Sequence, residues 1–517
     1  MCKKIPTTVF NFIVIIMLIF RVFFLFLLCL TSVKLFAFSQ QKISLEVGGK
    51  GSYLTIPVPH HLIPVASDIK VFNKGLLVKA DVSYGLIWPK LAGELDYVRL
   101  INIVIQNDIR LSSITLVWQN SHKKLLKTSK RLMMNSEFVY PDSQWLRKSL
   151  LLTERDSVDE QWYRDVQKLR AEYIIDEKAL AKNKYPRFEA SQWLYDRPQA
   201  LYQLFIATGE DKWKRSADRF VAFYISQVDS DGYFKLSKPN DIKYLMGRSI
   251  VYQYLLNQRE SSIEVIERLY QASLSWSAQY NSNFWTERHH AAALNVAISY
   301  WELTNDTSAY IRVNNLINNL WEMTFLPENN WPKEGCPQHS FRAHEGWGDD
   351  SPACSPWMMA LVADQLWRYY WLTSSPKAAR LLIAFSHFVA DKGVYVASKG
   401  KIKGQIIPKY LVSLQNAEQE ELDPFSDRQH TCDVAAMVGK GVYIQTKLGS
   451  SSNPQAKKVF QQLAERCKKQ HLAVLDKYKY VKLTHLVSKP PRKFAWLYSS
   501  TDDLPWLLSI FKETNKN

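Results

Sequence analysis

The sequence predicts a mostly α-helical chain, an (α/α)6-type helical toroid preceded by a small N-terminal β-sandwich-like domain. Three observations carry that prediction: a phrase repeated five or six times from about Trp193 to the C-terminus, apolar residues at three- and four-residue steps inside each copy, and a short-strand texture confined to residues 40–120. Each copy opens with a polar cluster rich in Asp, Arg, His and Tyr, continues as an apolar helical run, and in the clearest cases closes on an aromatic pair and a Leu-Thr-Gly-Asp-like turn. Repetition at this spacing marks stacked supersecondary units, here helical hairpins. Six hairpins can close into a ring, and the polar clusters at the helix starts then converge on one mouth.

Residues 1–39 read as an export signal: Lys3 and Lys4 precede an apolar run from Val9 to Leu30, and Ala37-Phe38-Ser39 is a small-x-small cleavage pattern, so the mature chain is predicted to begin close to Gln40. An apolar run of about twenty residues can also span a bilayer. Retention as a membrane anchor is therefore the alternative, and both place the body outside the cytoplasm. Residues 40–120 hold short apolar or alternating runs such as Leu77–Val82, Leu100–Ile105 and Ile114–Trp118, split by Gly-, Pro- and Asn-containing breaks, which is strand texture. Residues 121–190 are charged and helical and are taken as connecting helices, leaving 191–517 as the toroid.

Within the toroid, Leu294, Ala297, Ile298 and Trp301 share one helix face, as do Leu361, Leu366, Tyr369 and Tyr370. Starts are marked by Arg197-Pro198 and by Ser355-Pro356, a capping hydroxyl ahead of a proline whose missing amide proton costs nothing at the first helical position. Stops are marked by Gly209, Asn305 and Gly449, which tolerate the left-handed conformation that ends a helix.

The formal charge is +17 and stays strongly positive once the leader's Lys3, Lys4, Arg21 and Lys34 are removed. A basic exported chain favours an anionic partner, whether an anionic polysaccharide or oligosaccharide, a lipopolysaccharide, or nothing in particular. No nucleic-acid motif occurs, a membrane is a partner only if the leader is retained, and nothing names a cofactor. Of six cysteines, Cys336, Cys354, Cys432 and Cys467 lie outside the leader. Cys336 and Cys354 bracket one loop and can pair in an oxidising compartment.

That loop, Pro327–Asp350, is unusually long for a compact helical body, which is a sign of function. It gathers His339, Arg342, His344, Glu345, Asp349 and Asp350 with Trp331 and Trp347. Indole faces stack on the C–H face of a sugar while charged groups take its hydroxyls and carboxylates. The spacing of His339, His344 and Glu345 matches no firm ligand motif, so no metal is predicted.

The hairpin repeat, its Leu-Thr-Gly-Asp-like turns and the attached β-domain resemble the six-hairpin toroids of polysaccharide lyases, including heparinase- and alginate-lyase-like enzymes, and of several glycoside hydrolase families. The resemblance runs from about Trp193 to the C-terminus. It implies a carbohydrate-active enzyme and leaves the family open. The β-domain precedes the toroid here, whereas in many of the two-domain lyases it follows.

Lyase chemistry on a uronic acid needs a base for the proton beside the carboxyl group, an acid for the leaving oxygen, and cations for the carboxylate. Tyr195, His289 and His290 supply acid and base types. Arg197, Arg248, Arg288, Arg342, His344 and His430, with Asp196 and Glu345, supply binding groups, and Trp331 and Trp347 supply stacking faces. Hydrolysis asks instead for two carboxyl groups across the glycosidic bond, for which Glu287, Asp349 and Asp350 are the candidates, with Asp196 and Glu345 behind them. Elimination on an anionic glycan is the leading expectation, hydrolysis the second, and a non-catalytic glycan-binding or envelope protein the third.

Overall fold

The structure is a computed structural model that describes residues 41–513 apart from 47–52, 92, 107–112, 122–124, 129–136, 139–141, 152–159, 258–259, 284–286, 424, 451–452 and 479–491. Residues 1–39, read above as an export signal or anchor, lie outside the described residues. Among those described, no helix is long and apolar enough to cross a membrane.

The N-terminal part contains β1 (Gln41–Glu46), β2 (Tyr53–Pro57), β3 (Ser67–Asn73), β4 (Leu76–Val78), β5 (Ala80–Ile87), β6 (Val98–Ile105), β7 (Ser113–Asn120), β8 (Lys127–Thr128) and β9 (Glu137–Phe138). One sheet runs β1-β7-β3-β4 and the other β8-β5-β6-β2-β9. Register puts Ile69 opposite Trp118 and Val71 opposite Leu116, so one face of the first sheet is apolar. Those residues pack against Leu54, Ile56, Ile101 and Ile103 of the second, which makes a sandwich. Because β8 and β9 add to the second sheet, the sandwich extends to residue 138, into the stretch read above as connecting helices.

Thirteen α-helices of seven residues or more build the body among the described residues: α1 (Gln161–Ile175), α2 (Arg197–Thr208), α3 (Asp211–Ser226), α4 (Arg248–Asn257), α5 (Glu260–Ser273), α6 (Glu287–Thr304), α7 (Thr307–Phe325), α8 (Pro356–Thr373), α9 (Pro376–Asp391), α10 (Thr431–Lys447), α11 (Pro454–Tyr478), α12 (Lys493–Ser499) and α13 (Leu504–Glu513). Packing closes an inner ring in the order α2, α4, α6, α8, α10 and the α12–α13 pair, with α12 returning to α2. Outside it lie α3, α5, α7, α9, α11 and α1. Helix α1, read above as a connector, is thus the sixth outer helix, against α11 and α12. The two layers differ as their positions require: α8 is buried nearly all round, whereas α3 buries Trp213, Ala217, Phe220, Val221 and Tyr224 along one stripe.

Left-handed stops appear as predicted, with Gly209 at φ 69°, Asn305 at φ 55° and Gly449 at φ 73°. The start at Ser355 differs. Its hydroxyl donates to the Tyr410 carbonyl at 2.8 Å and does not cap α8.

The sandwich and the segment after it meet the C-terminal ends of α6 and α2, where carbonyls lack intrahelical partners. Arg99 of β6 donates to the Glu302 carbonyl at 3.0 Å and to its carboxylate at 2.6 Å. In the following segment, Ser143 donates to the Ile206 carbonyl near the end of α2. The N-terminal ends of the inner helices form the opposite rim. Contacts tie them into one circle: Asp196 accepts from the Ser249 amide at 3.0 Å, Glu287 accepts from the Ser355 amide at 3.0 Å, and Trp357 stacks on His430, which stacks on Trp496.

Candidate active site at the mouth of the ring

Tyr195 and Asp196, directly ahead of α2, both adopt left-handed backbone, φ 74° and 57°. For residues with a side chain this costs on the order of 1 kcal/mol or more each, and such strain persists only where surrounding contacts enforce it. The contacts are visible. One Asp196 oxygen caps α2 through the Gln199 amide at 3.1 Å while the other takes the Ser249 amide at the start of α4. The turn thereby delivers Tyr195 into a cleft at the ring's mouth.

The cleft is lined by Tyr195, Asp196, Lys243, Arg288, Asn295 and Asp364, among others. Arg288, in the first turn of α6, lines the same cleft as Tyr195, and its charge acts on the phenol. Burial pushes that phenol above its usual range, while the charges of Arg288 and Arg492 pull it back. Tyr195 also meets the edge of Trp496, 6.0 Å between rings. Deeper in, the Asn295 amide donates to Gln365 Oε1 at 3.0 Å, and Arg248 reaches the same oxygen at 3.2 Å. Asn295 Oδ1 accepts from the Gly247 amide at 2.9 Å. That approach is too close for a side chain, because a Cβ on Gly247 would stand 2.7 Å from Ser299. Asp364 pairs with Lys440 at 3.0 Å.

A second cavity continues down the axis past Asp364 to Arg248, Tyr252, Trp367 and Arg368. Glu302 lies between Arg99 and Arg368, each at 2.6 Å, and these guanidiniums hold its carboxyl far below the usual range against the effect of burial.

The mouth therefore collects some predicted residues and not others. Tyr195, Asp196 and Arg288 line the cleft, and Arg248 lines its extension. Arg197 does not: it is buried against Trp193 and Phe220, donates to Gln192 at 3.1 Å, and is depressed to about 9 by burial. His290 is a core residue, with Nε2 against the Leu316 carbonyl at 3.0 Å and its pKa pushed down to about 4 by burial. His289 stacks on Trp276 at 5.4 Å, and burial, with Arg288 and Lys243, lowers it to about 3. His430 is buried between Trp357 and Trp496 and bonded to Asp433 at 3.0 Å, so it supports the rim and is shielded from a ligand.

Glu287 and His344 are buried behind the cleft. Asp349 and Asp350 do not face a second carboxylate across the cleft. Hydrogen bonds from Ser351 and Asn416 hold the Asp349 carboxyl down at about 2, and Asp350 pairs on the exposed loop with Arg342 at 3.6 Å. Trp347 is 54% exposed against Phe341, whereas Trp331 is buried. The Glu345 side chain lies outside the described residues. The residues that sequence reasoning passed over are Lys243, Asn295, Asp364 and Gln365. The last three had one signal: they are polar positions inside helices otherwise apolar all round.

Fold and site together define a class: an (α/α)6 toroid with a phenol-bearing cleft of mixed charge at the helix N-terminal rim. No family model matches the chain, and no curated protein does. Among solved structures it is similar to a GH76A α-1,6-mannanase from Salegentibacter sp. HEL1_6, at 11% identity and TM-score 0.42, covering 68% of this chain and 99% of that one. It is similar also to the unsaturated glucuronyl hydrolase of Bacillus sp. GL1, at 12% identity and TM-score 0.41, covering 68% and 96%. A polysaccharide lyase matches at 8% identity and TM-score 0.41, covering 68% and 99%. Likeness at these values assigns neither a family nor an activity.

Proposed function

We propose that the chain is an exported carbohydrate-active enzyme that cleaves a uronic-acid-containing glycan by β-elimination at the mouth of the ring. The observation that carries this reading is the Tyr195–Arg288 pair inside a cleft that also holds Lys243, Asn295 and Asp364. Removing the proton beside a uronate carboxyl builds negative charge on that carboxyl, and preformed cations and amide donors are what stabilise it. Arg288 and Lys243 take that role. Asp364 is the carboxylate available as base, and α8, which bears it, stands across the ring from α2. The C–H electron pair becomes the new double bond as the glycosidic bond breaks, and Tyr195, whose proton burial retains, protonates the leaving oxygen. The N-terminal helix ends around the rim add positive potential.

Export is supported by two disulfides, Cys336–Cys354 and Cys432–Cys467, which belong to an oxidising compartment and accord with the leader. One observation favours hydrolysis as the second reading: Asp196 and Asp364 line the same cleft, and burial raises the Asp196 carboxyl toward its protonated form. Both Asp196 oxygens, however, are already taken by backbone amides. The test is a panel of uronic and neutral polysaccharides, read for unsaturated-uronate absorbance and reducing ends together. Elimination gives both signals in step on uronic substrates alone. Reducing ends without absorbance support the two-carboxylate reading, and no product from any glycan supports a binding protein.

A further inference from the structure

Behind the cleft wall, three ligand-type side chains from two separate segments meet in a dry site. Glu287 opens α6, His339 lies on the short strand His339–Ser340, and His344 lies on the five-residue helix Phe341–Glu345. Glu287 and His339 are fully buried and His344 is 8% exposed. One donor atom from each falls within 4.8 Å of the other two.

The hydrogen-bond directions decide what this cluster lacks. His339 Nδ1 stands 3.2 Å from the Ser340 carbonyl, which can only accept, so Nδ1 carries the proton. In the neutral ring Nε2 then presents a lone pair, and it faces Glu287 Oε2 at 3.3 Å. The other Glu287 oxygen is occupied by the Ser355 amide, whereas Oε2 accepts no hydrogen bond among the described residues. Lone pair against carboxylate is repulsive unless a positive centre lies between them. A second proton on His339 relieves that one pair, while a cation relieves it and engages His344 as well.

The 3.3 Å between His339 Nε2 and Glu287 Oε2 fits a shared cation. Two donors on a tetrahedral zinc, each about 2.0–2.1 Å from the metal, stand about 3.4 Å apart. A carbonyl on the remote ring nitrogen is the usual support of a metal-bound imidazole, since it fixes the tautomer. The loop is set in advance by the Cys336–Cys354 disulfide, by pairing of His339 with Ala353, and by Ser340, whose amide donates to Ser282 at 2.7 Å and whose hydroxyl caps Ala343 at 3.0 Å.

We propose that Glu287, His339 and His344 bind one zinc-class divalent cation that ties the long loop to the start of α6. The site lies outside the cleft lining, so its role is structural and positioning, holding Arg288 next door in place. It stands or falls independently of the reaction proposed above. With one carboxylate and two neutral imidazoles, a dication leaves net positive charge beside Arg288, the sign an anionic ligand requires.

The test uses the untagged mature chain, purified without chelator and assayed by elemental mass spectrometry. After chelator treatment, zinc is titrated back with melting temperature as the readout, and cobalt(II) is added separately. The expected result is one equivalent of metal per chain, a higher melting temperature on zinc addition, and visible cobalt bands of tetrahedral type. All three should be lost in His339→Ala and weakened in Glu287→Gln. His344→Asn, at the less buried edge, serves as the second variant should His339→Ala not fold. Wild-type protein that takes up no zinc and shows no melting shift overturns the proposal. So does uptake that His344→Asn and Glu287→Gln leave unchanged.

Discussion

Tyr195 and Asp196 concentrate the argument at the scale of single residues, because their left-handed backbone is held by a cap and a cross-helix bond that α2 could otherwise do without. Tyr195→Phe keeps the ring and removes only the hydroxyl. Turnover should therefore fall by roughly a hundredfold or more, the usual worth of a positioned acid or base, with the melting temperature little changed. A variant that retains near-wild-type turnover removes Tyr195 from the chemistry. The two arginines, alike on paper, separate here. Arg288→Ala should raise KM for an acidic glycan and leave stability nearly intact, because the side chain is only partly buried in the cleft. Arg197→Ala should instead lower the melting temperature, since it empties a buried site between Trp193 and Phe220. Thermal melts of both variants beside steady-state kinetics check the pair, and the reverse pattern contradicts the assignment.

The buried histidines give a pH dependence with a definite sign. Burial lowers His290 to about 4 and His471 to about 3, below the ordinary value near 6.5 of the unfolded chain. Between those values the unfolded chain holds protons that the native state excludes. Their contribution to stability is thus complete above about 6.5 and is lost as pH falls toward about 4, amounting to a few kcal/mol. Melting temperatures should decline steadily across that interval. A flat profile would mean that these rings accept protons in place.

Among the elements, the strongest internal anchor is the end of α6. Glu302 joins Arg99 of the sandwich to Arg368 of α8, with all three side chains buried. Glu302→Ala leaves two buried guanidiniums without their carboxylate, a loss of roughly 3–5 kcal/mol for a broken buried pair. Chemical denaturation should show the unfolding free energy lowered by that amount, and a change below about 1 kcal/mol, typical of exposed pairs, would contradict the burial.

The elements also show what was legible beforehand. Inner helices that are apolar all round, and stops at Gly209, Asn305 and Gly449, made the ring readable because both signals are local. The fit of β6 into the ring through Arg99 and the place of α1 in the outer layer were not readable, since each depends on a partner hundreds of residues away or on ring closure. In the site, helix starts were found correctly, but periodicity tells which residues share a face and not whether that face meets the axis or a neighbour. Hence Tyr195 and Arg288 fell in the cleft, while Arg197, Glu287 and His290 turned into the protein. Asp349 and Asp350 drew notice as an acidic pair, and the loop uses Asp349 to hold its own turn.

For the whole molecule, the β-sandwich meets one end of the ring through Arg99 and Glu302, and the other end is a rim of helix N-termini around the cleft. The net charge of +17 favours the anionic partner proposed above. The central claim is that the partner is cleaved by elimination, in which no water enters the product. Cleavage of a uronic polysaccharide in heavy-oxygen water, with the products weighed by mass spectrometry, measures this directly. The account predicts unlabelled new ends, one of each pair bearing an unsaturated uronate and lighter than the hydrolysis product by one water. Heavy oxygen incorporated at the new reducing end, with no unsaturated product, would contradict it and pass the chemistry to Asp196 and Asp364.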